Sequence, residues 1–242
     1  MIDTHNHVLF GIDDGAKDIE ESISILEKMS LIGYTSVIAT PHYISNDLYD
    51  ANNKKKKEII EILKEKLKEK NIKIDLYLGN EIFIQNHIDK KIVRGEIYTL
   101  NNSSYMLIEL PLNEKLNCDL DILYELVNQG AKVIIAHPER YRIFQNNIEE
   151  LEKYLDLGIL LQGNIDALSG KYGNNAKKLF KTLLKNRQYF TLASDIHHSN
   201  TEYFKRFPTL KKKVIKLTDE DYFNELCIYN PQKIIDNSVE ID

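Results

Sequence analysis

The chain has only two cysteines in 242 residues, and that scarcity excludes several kinds of protein. Cys118 and Cys227 stand far apart with no CxxC pair, so neither a disulfide framework nor a cysteine-rich zinc module is available, which fits a reducing compartment. A cysteine-based phosphatase would need an arginine six positions after its thiolate, and those positions hold Tyr124 and Lys233. No run reaches the roughly 18 apolar residues of a membrane span. The start, Met1-Ile2-Asp3-Thr4-His5-Asn6-His7, lacks the basic and apolar regions of a signal peptide, so a cytoplasmic protein without a membrane span is expected. Positive charge is in deficit, with 32 Lys and Arg against 37 Asp and Glu for a net −5, which argues against nucleic acid as a partner. Linkers rich in Ser, Gly or Pro, internal repeats and low-complexity tracts are missing, and a single domain over 1–242 is expected.

What is present is an alternation of two periods. Short β-branched runs occur at 35–40, 74–78, 105–110, 132–137, 159–162 and 189–194, separated by stretches of helical spacing at 18–32, 51–70, 119–129, 148–157 and 174–186. Buried strands alternating with helices predict parallel strands with crossover helices, and about seven such units close into a barrel. Gly33, Gly130 and Gly158 follow helical stretches directly, where a left-handed C-cap residue belongs. The basic run Lys54 to Lys57 continues into Glu58, Glu61, Glu65 and Glu69, and reads as a solvated helix face with Glu61–Lys64 and Glu65–Lys68 pairs over a stripe of Ile59, Ile60, Leu63 and Leu67.

The histidines and carboxylates fall at particular places. His5, His7, His42, His137 and His197 lie at or just beyond the ends of predicted strands, and Glu81, Glu109 and Asp195 occupy equivalent positions. In a β/α barrel those ends share one rim, so distant residues converge there. Residues two apart on a strand share a face, so His5 and His7 can reach one ion. A lone His-x-His is weak evidence, and a single histidine is more often a hydrogen-bonded structural residue. Several such groups at successive strand ends are hard to explain as packing, because buried charges must be paired or bind metal. Imidazole and carboxylate without thiolate suit Zn²⁺, Mn²⁺ or Fe²⁺. His87 and His198 match none of these positions and read as ordinary surface or supporting residues.

These blocks, with Thr40-Pro41-His42, Ala136-His137-Pro138-Glu139-Arg140 and Ser194-Asp195-Ile196-His197, resemble the PHP (polymerase and histidinol phosphatase) superfamily. Gly11-Ile12-Asp13-Asp14-Gly15 together with His137 to Tyr141 is similar to its bacterial tyrosine-protein phosphatase branch, the CpsB/YwqE type linked to capsule and exopolysaccharide synthesis. The resemblance implies an α/β fold, a distorted (β/α)7 TIM-like barrel, holding up to three ions, commonly manganese, with iron, zinc, cobalt or magnesium as alternatives. It places His5, His7, Glu81 and Asp195 on the first ion. Glu81, Glu109 and His137 fall on the second, and Asp14, His42 and His197 on the third. A bridging water or hydroxide would be the nucleophile and Arg140 the phosphate-binding residue. Asp14 is a third-ion ligand, the acid that protonates the leaving phenolate, or a helix N-cap.

Two departures from the family pattern stand out. Phe10 replaces a proline between Leu9 and Gly11, and the arginine usually found soon after Ile196-His197 is delayed to Arg206, beside Lys205. The segment 163–173 reads as a rim loop and lacks the Gly-Lys-Ser/Thr end of a Walker phosphate loop. The expected substrate is the tyrosine-phosphorylated, tyrosine-rich tail of a bacterial kinase, with self-association through the helix near Glu20-Glu21-Ser22 a further implication of the resemblance. The other readings are a small-molecule phosphatase of the histidinol-phosphate type and a non-catalytic phosphoprotein-binding scaffold. An amidohydrolase is disfavoured because Glu81 stands where that class uses a carbamylated lysine.

Overall fold

The computed structural model describes residues 1–44, 49, 53–85, 88–94, 96–112 and 119–237, so His87 and Cys118 lie outside the described residues. The β-branched runs form short parallel strands: β1 (Ile2–Asp3), β2 (Ser36–Ala39), β3 (His42–Tyr43), β4 (Asp75–Leu78), β5 (Glu81–Phe83), β6 (Tyr105–Glu109), β7 (Lys132–Ala136), β8 (Leu160–Asn164) and β9 (Thr191–Ala193). Between them run α1 (Ile19–Leu31), α2 (Asn53–Glu69), α3 (Ile88–Val93), α4 (Asp119–Asn128), α5 (Arg142–Asn146), α6 (Glu149–Asp156) and α7 (Asn174–Lys185). Gly33, Gly130 and Gly158 take positive φ of 96°, 91° and 78° just past α1, α4 and α6, as a left-handed helix stop requires.

The nine strands described make seven staves. β2 runs on into β3 across Pro41, which has no N–H to give a ladder, and β4 runs on into β5 across Gly79 and Asn80. Pairing passes from β1 to β2 to β4, and from β3 through β5, β6, β7 and β8 to β9, every pair parallel. The last stave returns to the first: Asn6 bridges Ile196, His7 N–H donates to Ile196 O at 3.0 Å, and Asp195 N–H donates to His5 O at 3.0 Å. Hydrogen bonding therefore runs round the whole ring, the topology expected of seven β/α units.

Alternation along the staves sets what lies inside. Ile38, Tyr105, Leu107, Ile134 and Ala136 form one apolar cluster, and their neighbours Val37, Met106, Ile108, Val133 and Ile135 belong to a second, larger one that includes residues of the helices. The C-terminal part, which the sequence pattern does not mark, forms α8 (Tyr203–Leu217), α9 (Glu220–Asn224), a π-helical turn and α10 (Asn230–Asp236). Ile234 of α10 packs into the inner cluster. On α2 the stripe Ile59, Ile60, Leu63 and Leu67 is buried as expected. Lys56 departs from the solvated-face reading: it is fully buried, with its ammonium on Asn80 Oδ1 at 3.2 Å. Among the described residues the ion pairs along α2 are Lys54–Glu58, Glu61–Lys64 and, in place of Glu65–Lys68, Lys66–Glu69.

Candidate metal centre

The inward alternation continues upward from the apolar interior into polar residues. Tyr105 and Leu107 are followed by Glu109 on β6, and Leu160 is followed by Gln162 and Asn164 on β8. The His5-Asn6-His7 stretch is held between staves by Asp195 and Ile196 on one side and Thr40 on the other, where Asn6 N–H donates to Thr40 Oγ1 at 2.9 Å. Asn6 turns its side chain away, donating to Asp3 Oδ2 at 3.0 Å, while both histidines face the site. His137 and Asp195 enter it in the left-handed region, at φ 35° and 52°. For non-glycine residues that is a strain of about 1–3 kcal/mol each, characteristic of functional positions.

All nine predicted ligands converge. Glu81 Oε2 lies 3.1 Å from His5 Nε2, 3.3 Å from His7 Nε2 and 3.0 Å from His42 Nδ1, and its Oε1 is 2.9 Å from His137 Nε2. Glu109 stands 3.8 Å from both His42 and His137. Asp14 Oδ1 is 3.5 Å from Nε2 of both His42 and His197. Ligand atoms within 4.8 Å of one another form overlapping sets, His7-Asp14-His42-His197, His5-His7-Glu81, His5-His137-Asp195 and His42-Glu81-Glu109. The third set implied by resemblance recurs with His7 added. The second does not recur as a unit, because Glu81 and Glu109 are grouped with His42 rather than His137.

Two features of this cluster fit a cation. His5 Nδ1 faces Gln162 Oε1 at 2.8 Å and His7 Nδ1 faces Asp13 Oδ2 at 2.8 Å, so both outer nitrogens donate to acceptors. The inner Nε2 atoms are then 3.2 Å apart. Two neutral rings would meet there lone pair to lone pair, a conflict that an ion held by both, or a proton on one of them, removes. The other feature is Asp195. Its Oδ2 accepts from Arg140 Nη1 at 3.0 Å and Asn164 Nδ2 at 2.7 Å, but its buried Oδ1 has no hydrogen-bond partner among the described residues and sits 3.5 Å from nitrogens of His5, His7 and His197.

Protonation follows from burial and neighbours. Burial, then the neighbouring Arg140, pushes His137 down to about 4; burial, then His7, does the same for His197, so both rings are neutral at pH 7. Burial also works against a charged His5, but Glu81 and Asp195 outweigh it and lift that ring to about 9. Glu109 is pushed up to about 8 by burial and by Glu81.

Arg140 pairs with Asp195 rather than with its neighbour Glu139, and its guanidinium lies 5.0 Å over the Tyr172 ring. It borders a cavity of about 620 Å³. A second cavity, of about 340 Å³, is lined by Asp14, Asp195, His197, His198 and Lys171. Asp14 is not the cap of α1; Asp18 takes that role, accepting from Glu21 N–H at 2.9 Å. Arg206, on α8, bonds Asp166 Oδ2 at 2.8 Å. Glu21 is occupied within the chain, accepting from the N–H groups of Lys17 and Ser199.

Sequence reasoning missed the residues that aim the ligands. Asp13 binds His7 and also accepts from His42 N–H at 2.9 Å and Gly15 N–H at 3.0 Å. Gln162 and Asn164 link His5 to Asp195 through a 2.9 Å bond between them. A polar pair at alternate positions of an otherwise apolar strand was the available signal.

A family model for capsular polysaccharide synthesis proteins, CpsB/CapC, matches residues 1–236. The chain belongs to the CpsB/CapC family. It is 34% identical over 229 residues to a putative tyrosine-protein phosphatase CapC of Staphylococcus aureus, covering 95% of this chain and 88% of that one. It is 30% identical over 204 residues to the tyrosine-protein phosphatase YwqE of Bacillus subtilis, covering 84% of this chain and 80% of that protein. A chain from the crystal structures of Bacillus subtilis YwqE and Streptococcus pneumoniae CpsB, described as metal-dependent tyrosine phosphatases, superposes with a TM-score of 0.89 at 26% identity, covering 100% of this chain and 96% of that one. Histidinol phosphate phosphatase from Lactococcus lactis shares the CpsB/CapC chain's fold, with a TM-score of 0.58 at 16% identity and coverage of 88% and 93%.

Proposed function

We propose that the chain hydrolyses phosphotyrosine in proteins at a manganese centre held by His5, His7, Asp14, His42, Glu81, Glu109, His137, Asp195 and His197. The observation that carries this reading is the unpartnered, buried Asp195 Oδ1 among three imidazoles, beside two cavities bordered by Arg140 and Asp14. When bound, divalent ions lower the pKa of coordinated water from about 15.7 toward roughly 7 and neutralise phosphoryl oxygens. The chain's own groups do the rest. Arg140, held in place by Asp195 and Tyr172, offers its remaining N–H groups to phosphate oxygens. Asp14, half exposed at the cavity wall, is placed either to ligate or to give a proton to the departing phenolate. Arg206 is the second phosphate contact of this reading. The relatives are named tyrosine-protein phosphatases and the family model is one for capsular polysaccharide synthesis, which supports a phosphotyrosine protein of that system as the substrate; on this reading it is a cytoplasmic tyrosine kinase whose tyrosine-rich tail is presented to the rim.

The test uses protein stripped with a chelator and refilled with Mn²⁺, offered a phosphotyrosine peptide, histidinol phosphate and p-nitrophenyl phosphate. Turnover of the peptide only in the refilled protein is expected. An untouched peptide with efficient histidinol phosphate turnover sinks the proposal, and no turnover of any substrate favours a binding scaffold.

A further inference from the structure

The 3-10 turn after β8 (Ile165–Ser169) puts a carboxylate where neither the fold nor the ligand set requires one. Asp166 is fully buried, yet its charge is met by two cations from different elements: Arg206 Nη2 at 2.8 Å and Lys171 Nζ at 4.0 Å. Among the described residues its Oδ1 has no hydrogen-bond partner, and neither does the buried Nε of Arg206. A buried carboxylate is tolerated when it is paired, and one cation would be enough. The second leaves a net positive charge at the rim. Lys171 lines the same cavity as Asp14, Asp195 and His197, with its side chain about two-fifths exposed. Its ammonium also lies 5.0 Å from the centre of the Tyr172 ring, the ring that Arg140 covers at the same distance. The backbone there is pinned, since Ser169 Oγ donates to Asp166 O at 2.7 Å and accepts from Lys171 N–H at 3.2 Å.

We infer that Lys171 is a phosphate-binding residue of this site, and that Asp166, itself paired with Arg206, is the positioning residue that holds Lys171 at the cavity. The inference rests on the reading of the cavity as a phosphoryl pocket. A phosphate dianion entering beside His197 meets the ammonium of Lys171. A purely structural ion cluster would instead need no anion and would leave phosphate affinity untouched.

The experiment measures calorimetric binding of inorganic phosphate to the full-length, Mn²⁺-loaded protein, with metal content and Tm recorded for each variant. Lys171→Met is expected to weaken phosphate binding by about tenfold, the loss of one charge-assisted contact, with metal content and Tm unchanged. Lys171→Arg restores the affinity. Asp166→Asn raises KM for p-nitrophenyl phosphate more than it lowers kcat, and Asp166→Glu restores part of the loss. Because Lys171 is partly exposed, its variants carry the test even where Asp166→Asn fails to fold. Unchanged affinity in Lys171→Met, an equally weak Lys171→Arg, or a wild-type protein that binds no phosphate overturns the inference. A protein that binds phosphate through Lys171 but leaves a phosphotyrosine peptide intact refutes the proposed function and leaves Lys171 standing.

Discussion

Asp13 and Asp14 are adjacent in sequence and do different work. Asp14 stands half exposed at the cavity wall, whereas the buried Asp13 fixes the tautomer of His7 and anchors the backbone of His42 and Gly15. Nothing in the residue types separates the two; only the direction each side chain takes from the turn does so. The cluster itself was legible, because histidine and carboxylate at the ends of parallel strands converge on one rim. Their supports were not, since Asp13, Gln162 and Asn164 are ordinary polar residues until the ring brings them to their partners. His137 and Arg140 provide the residue-scale prediction. His137→Ala is expected to lose metal together with activity. Arg140→Ala should keep its metal and lose roughly a hundredfold or more in kcat/KM. Elemental analysis beside steady-state kinetics distinguishes the two, and a wild-type rate from either variant refutes the role given to it.

Six of the strands and the helices α1, α2, α4, α6 and α7 were readable from periodicity, with bounds that differ from the expected ones by a residue or two, whereas α3 and α5 are too short to show a period. The continuations past Pro41 and Gly79, β3 and β5, were not readable as strands, because two or three residues are too few to show a period. The C-terminal helices were also missed; α8 carries Pro208 inside it, which obscures a helical pattern. The loop joining β1 to α1 shows how tightly an element can be constrained. A Cβ on Gly15 would fall against the His7 carbonyl oxygen and 2.6 Å from the His7 Cβ. Gly15→Ala should therefore cost about 1–3 kcal/mol or more, with Tm falling by roughly 2–4 °C per kcal/mol. It should also displace His7, which weakens metal binding. A variant with wild-type Tm and metal affinity would show that the loop yields without cost.

At the scale of the whole molecule, the net charge of −5 conceals a concentration of carboxylates whose neutralisation depends on what the site holds. Without metal, Glu109 at about 8 and His5 at about 9 both carry a proton at pH 7. Ligation needs both deprotonated, so metal entry must expel those protons. Titrating Mn²⁺ into metal-free protein at pH 7 is expected to release protons, and metal affinity should rise as pH goes from 7 toward 9. Calorimetry in buffers of different ionisation enthalpy reads the proton count; a heat independent of buffer would contradict the assignment.

The bridge between Asn6 and Ile196 gives the seam of the ring a chronology. His5 and His7 lie on one side of that seam, Asp195 and His197 on the other, and the two groups meet only once the seventh stave has docked against the first. Glu81 already gives His5 and His7 a carboxylate neighbour from the third stave, whereas Asp195 and His197 reach them only across the seam. The full set of nine side chains is therefore complete only in the closed ring. An ion held across the seam then acts as a clasp between distant ends of the chain, closing a long loop that the unfolded ensemble would otherwise leave open.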